Sequence, residues 1–378
     1  MAALTEEQTL IRDQAKSWVT AESPVQKFRQ LRDSGTNESI EPTTWSAMVE
    51  MGWTGILVPE EYGGSDLGYL TFGLILEELG RQLVASPLLA SALVGTSALL
   101  QGGSAAQKQQ WLPQVVSGEA VLTLAVDEQP RHQPDRIALR AEQSASGFKL
   151  SGSKTFVLEG MAATHYIVAA RSSGSPGEDA GITLFLVPVD ASGVQRTRMQ
   201  TADSRGYAGV HFDGVAVTAE QVIGEVGAGA LVLQSTLDRA RAGVCAEMLG
   251  VAAQSFDMTL EYLKTRVQFG KVIGSFQALG HRAADLFSEM ELARSCAEAA
   301  LQAIDAQASD VPELCALAKC RTGDFLHHMS NQLIQIHGGI GMTDEFDAGF
   351  YLKRARALEA SFGNQAFHRD RYATLLGF

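Results

Sequence analysis

The spacing of apolar positions changes twice along this chain and divides it into three parts. Over residues 1–118 hydrophobic side chains recur at helical intervals. Thr5-Glu-Glu-Gln8 is a capping-box pattern ahead of Leu10, Ile11 and Trp18. Helices are predicted over 25–33, 45–51, 69–82, 87–100 and 107–116. The run GWTGILVPEEYGG at 52–64 holds Pro59 and paired glycines and reads as a loop. Over 119–228 the period shortens. Strands are predicted at 148–151, 155–158, 166–170, 182–187 and 210–217, separated by Gly, Pro, Ser and Asp clusters. Residues 172–180 (SSGSPGEDA) read as a surface loop. From 229 to the end the helical period returns, over 231–271, 277–305, 312–336 and 347–361. Long segments with short joints imply an antiparallel bundle. The expected fold class is α+β, mainly α: a helical domain at 1–118, an antiparallel β-domain at 119–228 and a four-helix bundle at 229–378.

The stretch 238–277 stands out. No proline interrupts 237–271, and Val244, Met248, Val251 and Leu260 give one long helix a buried side. Glu247 falls among small residues. Gly243, Ala246 and Gly250 lie within a turn of it, and Ala240 and Gln254 lie two turns away. A carboxylate without bulky neighbours is expected to sit hard against a ligand.

Composition narrows the classes. The 378 residues are enough for two or three domains, and 46% hydrophobic with 19% charged residues describes an ordinary globular protein. A net charge of −13 argues against nucleic acid as a partner. Cys245, Cys296, Cys315 and Cys320 lie in Ala-rich helical contexts without zinc-finger spacing, so they read as buried small hydrophobes in a reducing compartment. The eight histidines form no metal-ligand pattern. There is no G-x-G-x-x-G between strand and helix, no Walker loop and no G-x-S-x-G. The first residues carry acids and no apolar core, and no run of 18 apolar residues occurs, so neither a signal peptide nor a membrane span is expected. The cytoplasm is the expected location.

Two motifs carry candidate chemistry. Arg266-Val-Gln-Phe269-Gly270-Lys271 followed by Gln277 puts a guanidinium, which suits a phosphate, at a helix end beside a ring that can stack or pack. Gln335-Ile-His-Gly338-Gly339-Ile-Gly allows close backbone approach to a ligand. Without further context the first is a solvated helix terminus, while a ligand-free glycine cap is only the lesser alternative for the second.

Together the spacing R-x-x-F-G-K-x-x-x-x-x-Q, the stretch Q-x-x-G-G-x-G and the order helices–strands–helices resemble the acyl-CoA dehydrogenases over nearly the whole chain. The resemblance implies FAD, α,β-dehydrogenation of an acyl-CoA thioester, and electron-transfer flavoprotein as acceptor. It implies that Arg266, Phe269, Gln277, Gln335, Gly338 and Gly339 contact FAD, usually that of the neighbouring subunit, so a homo- or hetero-oligomer, dimer or tetramer, is expected. The family's catalytic base is missing from both its usual places: Phe362 stands at one, and Ala240, before Arg241, at the other. Members acting on steroid side-chain CoA esters are similar around Ala246-Glu247-Met248. The resemblance therefore implies Glu247 as base, Arg241 orienting it or lining the pocket, and a bulky acyl group. On the flavin side the chain departs from the family. Residues 126–135 replace a glycine-rich flavin loop, Phe156 replaces a tryptophan that packs on the flavin, and Leu158 replaces a hydroxyl residue. One alternative is a non-catalytic or cofactor-completing subunit of a heteromeric acyl-CoA dehydrogenase. Another is a relative using flavin and oxygen.

Overall fold

The computed structural model describes residues 3–34 and 39–378. Among these the helices begin with α1 (Glu6–Glu22), α2 (Val25–Asp33), α3 (Pro42–Glu50) and α4 (Gly68–Arg81). A π-helical segment, Leu89–Gly95, runs into α5 (Thr96–Gly102), followed by α6 (Ala105–Val116). The expected capping box forms: the Thr5 hydroxyl accepts from Gln8 N–H, and the Gln8 side chain accepts from Thr5 N–H, both at 3.1 Å.

The strands are β1 (Leu122–Ala125), β2 (Arg140–Ser144), β3 (Gly147–Val157), β4 (His165–Arg171), β5 (Ile182–Pro188), β6 (Val194–Arg198), β7 (Ala208–Val217) and β8 (Val222–Ile223). They lie in the order β6-β7-β3-β2-β4-β5-β8, with β1 added on β4. The sheet is mixed, which corrects the expectation of an antiparallel one: β1 runs parallel to β4, pairing Leu122 with His165. The two strands expected at 148–151 and 155–158 are one strand, β3. Its pairing with β7 shifts register between Leu150 and Gly152 and again between Lys154 and Val157. Leu150, Tyr166, Val168, Phe185, Phe212 and Val215 form the sheet's buried face.

The chain then enters α7 (Ala230–Thr265), a short hairpin of β9 (Val267–Gln268) and β10 (Lys271–Val272), α8 (Gln277–Asp305), α9 (Val311–His337), α10 (Ala348–Ala360) and α11 (Gln365–Leu375). The long helix stops at Thr265, short of the expected Lys271. Phe269 and Gly270 both have positive φ, +53° and +79°, which a two-residue hairpin turn of right-handed twist requires. The final helix, α11, escaped the hydrophobic pattern because its only fully buried residue is His368.

Contacts divide the chain into two compact units. One comprises Met1–Arg29, Tyr69–Val84 and Arg241–Phe378; the other comprises Gln30–Gly68 and Ala85–Ala240. In the first unit α4 crosses α7 at backbone contact. A Cβ at Gly250 would strike the Glu77 carbonyl oxygen, and one at Gly80 would strike the Glu247 carbonyl oxygen. Gly250→Ala is therefore expected to separate the helices and cost roughly 1–3 kcal/mol or more, seen as a lowered unfolding temperature. Gly349→Ala, where a Cβ meets nothing within 4 Å, is the control. It is expected to leave that temperature unchanged or raise it, since alanine is the better helix former.

Candidate active site

Glu247 lies in the middle of α7 and is 7% exposed. Its backbone faces α4 at Gly80, while its side chain reaches α10. There Arg354, itself 5% exposed, donates to Oε1 from Nε at 3.0 Å and from Nη2 at 2.6 Å. The small residues around Glu247 have a different use from the one expected. Gly250 gives passage to the α4 backbone. The carboxylate is nonetheless in a dry setting, and it is held in place by a charge-assisted pair.

Arg241, six residues earlier on the same helix, is fully buried. Its Nε lies 3.4 Å from the Phe362 carbonyl and its guanidinium carbon 5.6 Å from the centroid of the Phe367 ring. It therefore meets the turn after α10. That turn is tightly held. The Lys319 ammonium, on α9, donates to the carbonyls of Leu358, Glu359 and Gly363 at 3.1, 3.0 and 2.9 Å. His368 Nε2 donates to the Phe362 carbonyl at 3.0 Å. Phe362 and Gly363 take left-handed φ of +55° and +102°. Burial pulls Lys319 down from its ordinary value to about 8, with Cys245, whose thiol burial pushes up to about 12, beside it.

The second candidate group gathers at one end of the first unit. Tyr262 precedes Arg266 by one turn, and its ring stacks on His337 at 4.3 Å. His337 stacks in turn on Phe346 at 4.8 Å. This sandwich joins the end of α7 to the end of α9, so Arg266 and Phe269 come to the same end as Gln335, Gly338 and Gly339. Arg282 donates to Gln332 Oε1 at 3.0 Å and ties the start of α8, where Gln277 sits, to the same place. His337 donates from Nδ1 to the Leu333 carbonyl at 2.7 Å, and burial lowers its pKa, so its ring is neutral. Phe269 is 91% exposed. Arg266, Gln277, Gln335, Gly338 and Gly339 are exposed as well. Nineteen residues of helix separate Glu247 from Arg266, about 28 Å of rise. The two groups therefore lie at separate places.

In the second unit, Phe156 is 40% exposed with φ of +50°, at the second register shift of β3. Leu158 is buried, and its carbonyl accepts from the Thr123 hydroxyl at 2.6 Å. The segment 126–135 is tied down within its own unit. Glu128 accepts from Leu139 N–H at 2.9 Å and from the buried Lys154 ammonium at 2.7 Å. Asp127 meets His132 Nδ1 at 3.0 Å. Among the described residues no three His, Cys, Asp or Glu side chains are grouped to hold a metal ion. No helix among them is long and apolar enough to cross a membrane.

Family models for the acyl-CoA dehydrogenase N-terminal, middle and C-terminal domains match residues 5–119, 132–215 and 227–376. The chain is 31% identical to mitochondrial isovaleryl-CoA dehydrogenase of Solanum tuberosum over 342 residues, 86% of this chain and 80% of that protein. The chain belongs to the acyl-CoA dehydrogenase family. Its fold superposes on butyryl-CoA dehydrogenase of Megasphaera elsdenii with a TM-score of 0.92 at 26% identity, covering 100% of this chain and 99% of that one. A chain of the ChsE4–ChsE5 complex of Mycobacterium tuberculosis matches with a TM-score of 0.90 at 26% identity, covering 100% and 99%. This acyl-CoA dehydrogenase is thus an FAD-dependent oxidoreductase acting on the CH–CH bond of acyl-CoA thioesters.

The residues present fit that cofactor. No atom lies within 4 Å of a Cβ built at Gly338 or Gly339, so flat groups have backbone access there, and Phe269 offers an uncovered ring. Two residues of this acyl-CoA dehydrogenase escaped sequence reading: Arg354 and Lys319. Both are cations in amphipathic helices, and their partners lie 107 and 39–44 positions away, which no local pattern reveals.

Lys319 generates a pH prediction. The unfolded chain holds this proton up to pH about 10.5, the folded chain only to about 8. Between those values the unfolded state binds more protons, so the lysine's contribution to stability rises with pH. The unfolding temperature of wild type relative to Lys319→Met is expected to increase from pH 8 to pH 10; a flat difference would contradict the assignment.

Proposed function

We propose that this chain removes the α-proton of a bulky or branched acyl-CoA thioester with Glu247, while the β-hydrogen leaves as hydride. FAD, when bound, supplies the hydride acceptor. The observation that carries the reading is a carboxylate 7% exposed in the middle of α7, away from bulk water and fixed by Arg354. Proton abstraction breaks the Cα–H bond and leaves the proton on the carboxylate, and the freed pair forms the Cα=Cβ bond as hydride departs from Cβ. Arg241 anchors the turn that carries Phe362, at the end of the helix that bears Arg354. Phe156 and Leu158, in the second unit, are proposed flavin contacts in their own right. The steroid side-chain class of thioesters is the first to try, because Ala246-Glu247-Met248 is the context the resemblance gave it. Electron-transfer flavoprotein is the proposed acceptor and the cytoplasm the proposed location.

Arg266, Phe269, Gln277, Gln335, Gly338 and Gly339 are proposed to hold the phosphate and adenosine half of an FAD on a neighbouring subunit. A second reading, favoured by the tied-down segment 126–135, is a heteromer in which this chain completes the cofactor site of a different acyl-CoA dehydrogenase-like chain.

Glu247→Gln is expected to lower kcat by roughly 10²–10⁴ without loss of bound flavin, measured with an artificial electron acceptor across a panel of acyl-CoA esters. A loss below about tenfold would remove Glu247 from the role. Phe269→Ala is expected to weaken flavin retention by about tenfold while leaving the unfolding temperature of the chain unchanged, because the ring is 91% exposed. If the chain expressed alone purifies colourless and gains flavin only with a second, different subunit, the heteromeric reading holds.

A further inference from the structure

We propose that Arg354 is the positioning residue for Glu247, fixing the carboxylate so that it receives the substrate's α-proton. The inference rests on Glu247 being the base.

The geometry is specific. Both Nε and Nη2 of Arg354 converge on the same oxygen, Oε1, at 3.0 and 2.6 Å. Two donors on one oxygen fix where that oxygen lies, because the guanidinium is planar and its donors are fixed relative to each other. The guanidinium is itself held. Arg354 sits in the middle of α10, one turn after Tyr351, whose hydroxyl donates to the Arg81 carbonyl of α4 at 2.7 Å. One turn further on, the carbonyls of Leu358 and Glu359 are clasped by Lys319. The helix bearing Arg354 is thus pinned on both sides of it, to α4 and to α9. Glu247 is pinned from behind by the close passage of Gly80.

Energetics point the same way. A buried ion pair adds little net stability over apolar residues of the same shape, since desolvation offsets the attraction. What the pair does supply is geometry. It restricts the torsions of the Glu247 side chain that place the carboxylate. A misplacement of about 1 Å in such a group costs on the order of 10²-fold in rate. In the step itself Arg354 exchanges no proton. The Cα–H bond breaks, its proton passes to the Glu247 carboxylate, and Arg354 remains a cation throughout.

The test isolates proton transfer from oxidation. A 3-thiaacyl-CoA, with sulfur in place of Cβ, has no β-hydride to lose, so exchange of its α-protons with D2O reports the base alone. The flavin-loaded full chain, with its partner subunit if one is required, is compared as wild type, Glu247→Gln, Arg354→Met and the double variant. Expected are loss of exchange in Glu247→Gln and a 10- to 100-fold drop in Arg354→Met with analogue affinity within about threefold. No further drop is expected when Arg354→Met is added to Glu247→Gln, because a residue acting through another has nothing left to act on. Exchange within threefold of wild type in Arg354→Met, while Glu247→Gln has lost it, overturns the role of Arg354 and leaves the base assignment standing. An additive loss in the double variant also overturns it, since Arg354 would then act on the fold. Retained exchange in Glu247→Gln overturns the base itself. Should Arg354→Met fail to fold, Arg354→Lys keeps the charge without the planar fork and is read by the same criteria: a fall in exchange supports the proposal, and full exchange overturns it.

Discussion

Two glycines set the geometry of the charged groups in the first unit. At Gly80 and Gly250 the helices α4 and α7 meet backbone to carbonyl, with no room for a Cβ on either. A crossing that close leaves no space between the helices for a side chain of Glu247's size. The carboxylate must leave α7 on the side of α10, where Arg354 receives it. Had either glycine carried a methyl group, the helices would part, and the distance from Glu247 to Arg354 would no longer follow from the backbone.

The same unit satisfies its other buried polar groups between helices. Asp305, at the end of α8, accepts from the N–H groups of Tyr69 and Leu70 at 2.6 and 3.0 Å and so caps the first turn of α4. Arg294 of α8 meets Glu77 of α4 at 2.7 Å. Lys319 fills the carbonyl end of α10, where a cation complements the helix dipole. Each contact joins elements far apart in the chain, and each compensates a charge or a helix end that would otherwise be buried bare. A helical packing arrangement that leaves Arg354 and Lys319 nowhere to go but onto these partners is what makes a buried carboxylate at Glu247 tolerable.

The proposed cofactor contacts divide along a simple physical line. Residues of the proposed FAD clamp protrude and pack against little of their own unit: Phe269 is held outward by a turn with two left-handed residues, and the glycines at 338 and 339 have no neighbours to spare. The segment 126–135 does the reverse. Glu128 and Asp127 spend their acceptors on Leu139, Lys154 and His132 of the same unit. A backbone engaged in this way has less left to offer a flavin ring, while Phe156, on its strained bulge, keeps an open face.

The sequence by itself determined the class, the order helices–strands–helices, the start of α1 and the span Gln277–Asp305, because each depends on neighbours within a few positions. Glu247 was singled out by the small residues on its own helix, which is also local information. Only the tertiary structure decided what that smallness serves. Gly250 accommodates another helix, Glu247 pairs with a residue 107 positions away, and β1 joins the sheet in parallel from outside the strand order of the chain. Helical and strand periodicity report which face of an element is buried, but not against what. The partner of a buried charge is set by how the helices cross, and a crossing is a property of two distant segments at once.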